Sequence, residues 1–429
     1  YLSENSITTI YRDAAQIEGG IVNYPPVYLF ILQGLGKAAR VVSSDPFNTT
    51  WFLFLLKSVN VLSDLLIALL LYRLLRREEN FDTGAVGLAL FWLNPGAIYL
   101  GAFFGQTDSL FTLFLVAAAY AARFSPSLSG CACGLALGTK LQTLPFLPLF
   151  FLPCLIRRDI SGLFKTGAGF AAALMVLTLP FAIAGEAARM VNSCFVVSLG
   201  WSTSLTMGAF NLWQLYPEPL STDQGVWGFL FGSDGIAPAQ ARFLTVQRLG
   251  LILFSMAYFL TILGFVRYRK QDRFRLWWAL SAASLAFFFL PTRIHERYLF
   301  PFLAFAVPNS AAGKTRFLQC VYLAISVFFL LNLMVVCPPD SRPVPLHVVH
   351  TTGGADVLAV LGVFLAALWA VGRPLLGTRR GLFVAGGLLV VLLFAFGHKK
   401  LQTPRLSLAD LPYKNVDQEW ETPRRDLSL

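Results

Sequence analysis

The chain has 429 residues, of which 56% are hydrophobic and 13% charged, with a net charge of +11. A soluble domain carries about 25% charged residues, so this composition, with a mean hydropathy of +0.63, excludes an ordinary soluble globular protein. Apolar runs of about 20 residues recur along the whole length, which predicts an all-α polytopic membrane protein; the short alternating segments of a membrane β-barrel do not occur.

The positive charge points to a membrane surface. Lys and Arg gather in short loops between apolar runs, and no aromatic–basic groove or nucleic-acid motif accompanies them, so no nucleic-acid partner is expected. Of the six cysteines, Cys131, Cys133, Cys154 and Cys320 lie in or beside apolar runs, where cysteine behaves as a small hydrophobe. Cys194 and Cys337 fall in loops on the opposite side from the basic ones, where a disulfide between them is an option.

In chain order, residues 1–24 read as polar loop. The run 24–36 opens on Pro25 and Pro26, tolerated in a first helical turn. Its length of about 13 residues falls short of a bilayer, so an interfacial juxtamembrane helix is expected. The first convincing span is 51–75. Then follow 83–103, 108–124, a Gly-rich pair of short segments in 129–156, 166–184, a long loop at 185–243, and apolar segments at 244–266, 276–291, 298–310, 316–336, 354–372 and 381–397. The expected organisation is an outer loop and juxtamembrane helix (1–50), a membrane module of about 11 segments (51–397) and a polar tail (398–429). Because the chain opens on Tyr1 and a polar stretch, a first span is expected upstream.

The segments RLLRRE, AARF, RRDISGLFK, RYRKQDRFR, GKTR and GRPLLGTRR hold seventeen Lys and Arg residues. The positive-inside rule places them in the cytoplasm. The elements 23–26, 105–108, 139–143, 185–243 and 293–298 then share the non-cytoplasmic face.

Ionisable residues at a membrane edge are costly, which makes them functional candidates. Asp108, in GQTD, is either an N-cap or an acid facing an outer cavity, with Gln106 beside it for a sugar hydroxyl. Lys140, in GTKLQT, either snorkels or presents a buried ammonium to a phosphate. In RIHERY, His295 and Glu296 have the chemistry for acid–base work. Arg293 and Arg297, four residues apart, share a helical face and suit a phosphate or diphosphate; an internal Glu–Arg salt bridge is the plain alternative. Asn23, Tyr24, Asn211 and Trp213 are candidates for sugar or acceptor contact, although Tyr24 and Trp213 fit an aromatic belt equally well. Lys57, Asn60 and Asp64 in the first span read as a helix–helix polar network. No nucleotide fingerprint, HExxH or CxxC pair occurs. A nucleotide-sugar donor calls for a cytosolic domain, and the short loops leave no room for one, which favours a lipid-linked donor on the outer side.

The ordered strings NYPPVYLFIL, NPGAIYLGAFFGQTDSLFTLFL, GLALGTKLQTLPFLPLF, AFNLW and RIHERYLFPFLAF resemble the integral-membrane GT-C glycosyltransferases. The resemblance covers roughly 20–310 and is nearest to the bacterial mannosyltransferase-like group related to GPI-anchor mannosyltransferase II. The dolichol-pathway glucosyltransferases are more distantly similar. It implies a GT-C-like bundle and a polyprenyl-phosphate-linked hexose donor, with transfer to a glycan, lipid or protein acceptor among the membrane lipids of a bacterial inner membrane or the endoplasmic reticulum. It also implies a catalytic Asp a few tens of residues upstream of the YPP element. Asp13 and Glu18 lie too close for that, so the base is expected upstream of Tyr1, with Asp108, His295 and Glu296 as candidates within the chain. Gln106 and Asp108 match the WGQxD element, with Phe104 in place of Trp; Lys140 matches TKxQ, and His295, Glu296, Arg297 and Tyr298 match HERY. Lys140, Arg293 and Arg297 are thereby expected to hold the donor phosphate, and Asn23, Tyr24, Gln106, Asn211, Trp213 and Tyr298 to meet sugar or acceptor. No cofactor is indicated, and need for a divalent metal stays open. The rival readings are a lipid-linked saccharide flippase or transporter, and a catalytically incomplete partner subunit.

Overall fold

The computed structural model describes residues 2, 5–16, 22–42, 50–198, 204–215, 245–267, 273–313, 316–338 and 353–375. The expected span 381–397, the tail 398–429 and most of the 185–243 loop beyond Leu215 lie outside the described residues. So do Glu18 and most of RYRKQDRFR.

The described residues are overwhelmingly helical. Helix α1 (Pro26–Val42) starts on the second proline of YPP, and at 17 residues it stays short of a span. Helix α2 (Thr50–Glu78, 29 residues) reaches about 43 Å at 1.5 Å per residue, more than a bilayer core. The expected span 83–103 is broken: α3 (Phe81–Trp92) and the following Pro95–Phe104 meet at 45°. Asn94 makes this break. Its Oδ1 caps α4 (Pro95–Ile98) by accepting from Gly96 N at 3.0 Å. Its Nδ2 donates to Tyr322 Oη at 3.2 Å and Ser326 Oγ at 2.9 Å. Pro95 lacks the N–H that a continuous helix needs.

The expected segment 108–124 is α5 (Asp108–Ala121), and the Gly-rich pair appears as α6 (Pro126–Leu137), a 3₁₀ stretch and α7 (Leu147–Arg157). Helix α6 packs on α8 (Ile160–Ile183) at backbone contact. A Cβ at Gly130 would strike the Thr166 carbonyl, and one at Gly134 would come within 2.8 Å of Phe170 O. Small residues four apart permit this close crossing in membranes, where shape and not hydrophobicity joins helices.

Next come α9 (Ala187–Val191), α10 (Val246–Arg267) and α11 (Arg275–Phe289). Helix α11 is the hub, with Trp277, Leu280, Ala283 and Phe288 all buried. The segment expected as span 298–310 is instead two short helices, α12 (Phe300–Phe305) and α13 (Val307–Ala311), each with a proline in its first turn and all buried but Ala311. Helices α14 (Arg316–Val336) and α15 (Gly353–Leu375) pack beside them. Among the described residues four helices are long and apolar enough to cross a membrane, or five if the bent pair is one span; other apolar helices are shorter. The chain is an integral membrane protein of helical type.

The two ends of α2 differ in chemistry. At its C-terminus Glu78 pairs with Arg123 at 2.6 Å and Arg273 with Glu79 at 3.4 Å, so three of the basic segments gather at one end. Near its start Lys57 Nζ donates to Phe103 O at 2.7 Å. Asp64 sits against Gly101, beside the Ser109 hydroxyl. Cys194 and Cys337 are unbridged: Cys194 contacts the Tyr11 hydroxyl, while the Cys337 carbonyl receives the Tyr99 hydroxyl.

Candidate active site

The site lies where four sequence elements converge. The first link is backbone to backbone: Val27 N, in the YPP turn, donates to Gly138 O at 2.8 Å. A Cβ at Gly138 would collide with Leu177. Helix α6 ends there. Thr139 N and Lys140 N both close on Ala136 O, and Lys140 takes an extended conformation before the 3₁₀ stretch Leu141–Phe146. That break directs its side chain inward.

Lys140 is 6% exposed, so it does not snorkel to an interface. Its Nζ donates to Asp108 Oδ1 at 2.8 Å and lies over the rings of Tyr298 and Phe111 at 5.2 and 5.5 Å. Asp108, fully buried, opens α5, where the positive end of the helix dipole favours a carboxylate. Its Oδ2 lies 3.6 Å from Arg297 Nε. Asp108 therefore stands between two cations. This corrects the reading of Asp108 as a helix cap or a free acid facing a cavity: Thr107 holds the cap position, and Asp108 is a counter-ion behind the wall.

The RIHERY element is shaped by pairing with residues 205–208. Arg293 N donates to Leu205 O at 2.9 Å and Met207 N to Ile294 O at 2.9 Å. Arg293 itself sits at φ 63°, a left-handed conformation costly for a residue with a Cβ. Glu296 then turns into the protein. Its Oε1 accepts from Arg297 Nη1 at 3.0 Å, and its Oε2 lies 3.7 Å from His295 Nδ1. Burial alone would raise the Glu296 carboxyl, but the neighbouring His295 ring and the Arg297 charge more than reverse this and hold it at about 2. His295 is shifted down, chiefly by burial, so its imidazole is neutral at pH 7. For Lys140 burial lowers the ammonium, Asp108 offsets part of that, and the result is about 8.

These residues border a cavity of about 540 Å³, whose wall includes Asn23, Tyr24, Lys140, Gln142, Arg293, His295, Arg297 and Tyr298. Taken as Asp108, Glu296, Lys140, Arg297 and Arg293, the formal charges sum to +1. A groove lined by Leu251, Ile252, Ser255, Met256 and Phe259 lies on the outside of α10 and shares Leu251 with the cavity wall.

Of the sequence candidates, Lys140, Arg293, Arg297, His295, Tyr298, Asn23 and Tyr24 meet at this cavity. Asp108 and Glu296 are buried behind it. Gln106 does not border it. Asn211 and Trp213 are buried staples, not sugar contacts: Asn211 Nδ2 donates to Phe288 O at 3.3 Å, and Trp213 Nε1 donates to Leu290 O at 2.7 Å. Both hold the end of α11 so that RIHERY leaves at a fixed place. Asp13 is paired with Arg12 at 2.8 Å. Sequence reasoning missed Gln142, which bonds the Tyr298 side chain and carried a signal two residues after Lys140. It also missed Gln247 and Ser198, which carried none.

Among the described residues no group of three or more His, Cys, Asp or Glu side chains gathers that could hold a metal. No curated protein matches the chain. Glycosyltransferase family 87 matches residues 24–292, more than half of the 429 residues and three of the four elements that build the cavity. The chain therefore belongs to glycosyltransferase family 87.

Proposed function

We propose that this glycosyltransferase moves a hexose, mannose by resemblance, from a polyprenyl-phosphate donor to an acceptor hydroxyl on the non-cytoplasmic face, with inversion. The observation that carries this is the pair Lys140 and Arg297, held 2.8 and 3.6 Å from the two oxygens of one buried carboxylate beside an open cavity. As the bond from sugar C1 to phosphate oxygen breaks, the electron pair stays on the phosphate. Fixed cations in a dry site stabilise that charge without reorganising. The acceptor oxygen attacks C1 from the opposite face, and its proton leaves to a base. Neutral His295, on the wall, can accept or donate a hydrogen bond to the bound oxygens. Tyr24 offers its ring to a sugar, while the Tyr298 ring lies under Lys140 Nζ and stacks on Phe287.

The lipid part of the donor is supported by the α10 groove. From Leu251 to Phe259 it runs about 12 Å along a helix of membrane-spanning length, with apolar side chains about half exposed. The transporter reading is less favoured because, apart from Lys57 and Asp64 within α2, the charged candidates sit at helix starts and at breaks between helices. The sidedness reading is supported by the basic segments joined at Glu78 and Glu79, at the C-terminal end of α2.

The test is transfer from radiolabelled polyprenyl-phosphate mannose, with GDP-mannose in parallel, by the full chain in nanodiscs. Label should leave the lipid donor only, and Lys140→Ala and Arg297→Ala should each abolish it at normal expression. Transfer from GDP-mannose alone, or full activity in both variants, overturns the proposal.

A further inference from the structure

The RIHERY loop has no regular secondary structure before Glu296, yet it must hold His295 and Arg297 in place. Its support comes from residues 205–210, which pair with it through Arg293 N to Leu205 O and Met207 N to Ile294 O. Thr206 Oγ1 adds a bond to Ala209 O at 2.8 Å that closes the turn. Gly208, at φ +90°, brings this turn against the site: a Cβ there would lie 3.1 Å from Glu296 Oε2 and 3.1 Å from Val336 Cγ2. The turn therefore sits between α14 and the Glu296 carboxylate.

One side chain anchors it. Asn332, fully buried on α14, accepts from Phe210 N at 3.1 Å through Oδ1 and donates to Gly208 O at 2.7 Å through Nδ2. Both ends of the amide are used, on two backbone groups that would otherwise be unsatisfied in a water-poor interior. We infer that Asn332 is a positioning residue: through the 206–210 turn it fixes Glu296, and through Glu296 it sets where His295 and Arg297 face the cavity. The inference rests on the proposed donor reading only for its ligand readout.

Asn94 provides a matched comparator. It is also buried and also bonds to α14, through Tyr322 and Ser326, but it touches neither 206–210 nor 293–298. The experiment compares Asn332→Leu, Asn332→Asp and Asn94→Leu in the full chain, in detergent. The first readout is the rate of diethylpyrocarbonate labelling at His295 by peptide mass spectrometry, which needs no ligand. The second is binding of undecaprenyl phosphate, followed by thermal shift.

If Asn332 positions the loop, both Asn332 variants label His295 several-fold faster and bind the lipid about tenfold more weakly, while Asn94→Leu does neither at an equal or larger loss of melting temperature. If Asn332→Leu fails to fold, Asn332→Asp decides at a pH where the carboxyl is ionised: it keeps an acceptor for Phe210 N and turns an oxygen, which cannot donate, toward Gly208 O. Unchanged labelling in the folded variants, or labelling that tracks melting temperature equally in all three, overturns the inference. Wild-type chain that ignores undecaprenyl phosphate while the labelling result holds overturns the donor reading and leaves the positioning role standing.

Discussion

Replacing Asp108 by Asn separates a counter-ion from a proton acceptor. The Lys140–Asp108 pair is 2.8 Å long, with side chains 7% and 0% exposed. At an effective dielectric of about 20, unit charges at that distance attract by about 6 kcal/mol, most of which offsets desolvation of the two ions. Removing one partner leaves a buried charge uncompensated and costs about 3–5 kcal/mol. Asp108→Asn and Lys140→Met should therefore each destabilise the chain by that amount. The double variant should lose less than their sum, by about 2–3 kcal/mol. Reversible unfolding in mixed detergent micelles measures all four corners of the cycle. A proton acceptor would behave otherwise: Asp108→Asn would cut kcat while stability stayed near wild type. Additivity within about 0.5 kcal/mol, or an unaltered stability in Asp108→Asn, would refute the counter-ion reasoning.

Anion binding should hold below pH 8 and decline as pH rises through it. Burial pulls the Lys140 ammonium down to about 8, and only the charged form attracts phosphate; Lys140→Arg should move the decline upward, because a guanidinium does not deprotonate there. A titration of undecaprenyl phosphate binding between pH 6 and 10 checks both. Gly208→Ala should cost about 1–2 kcal/mol in backbone strain and also lower transfer activity, since its Cβ meets Glu296 Oε2; wild-type activity in the folded variant would mean that the turn and the site are independent. Trp213→Phe should lower stability by about 1 kcal/mol through the lost bond to Leu290 O while leaving the donor KM unchanged, and a raised KM would return Trp213 to the sugar site.

The amino-acid sequence determined the class and much of the grammar. Apolar runs fix membrane helices because a backbone in lipid must satisfy its own hydrogen bonds. Glycines four apart in 130–138 mark the close crossing of α6 and α8, and the clustered charges of GQTD, GTKLQT and RIHERY mark where those helices end. These are local properties, readable one segment at a time. The break at Asn94 and the folding of 300–311 into two short buried helices were not legible, because a proline within an apolar run can either kink a span or end it, and the neighbours decide.

The roles of the polar residues were decided by tertiary structure alone. Asp108 reads as an acid until Lys140 and Arg297, 32 and 189 positions away, occupy its two oxygens. Trp213 reads as a sugar platform until its N–H finds Leu290 O. Asn332 gives no sign in an apolar helix that both ends of its amide hold a turn 122 and 124 residues upstream. What a buried polar group does depends on its partners, since the cost of leaving it unpaired exceeds the gain from most single contacts, and partners distant in sequence meet only in the folded chain.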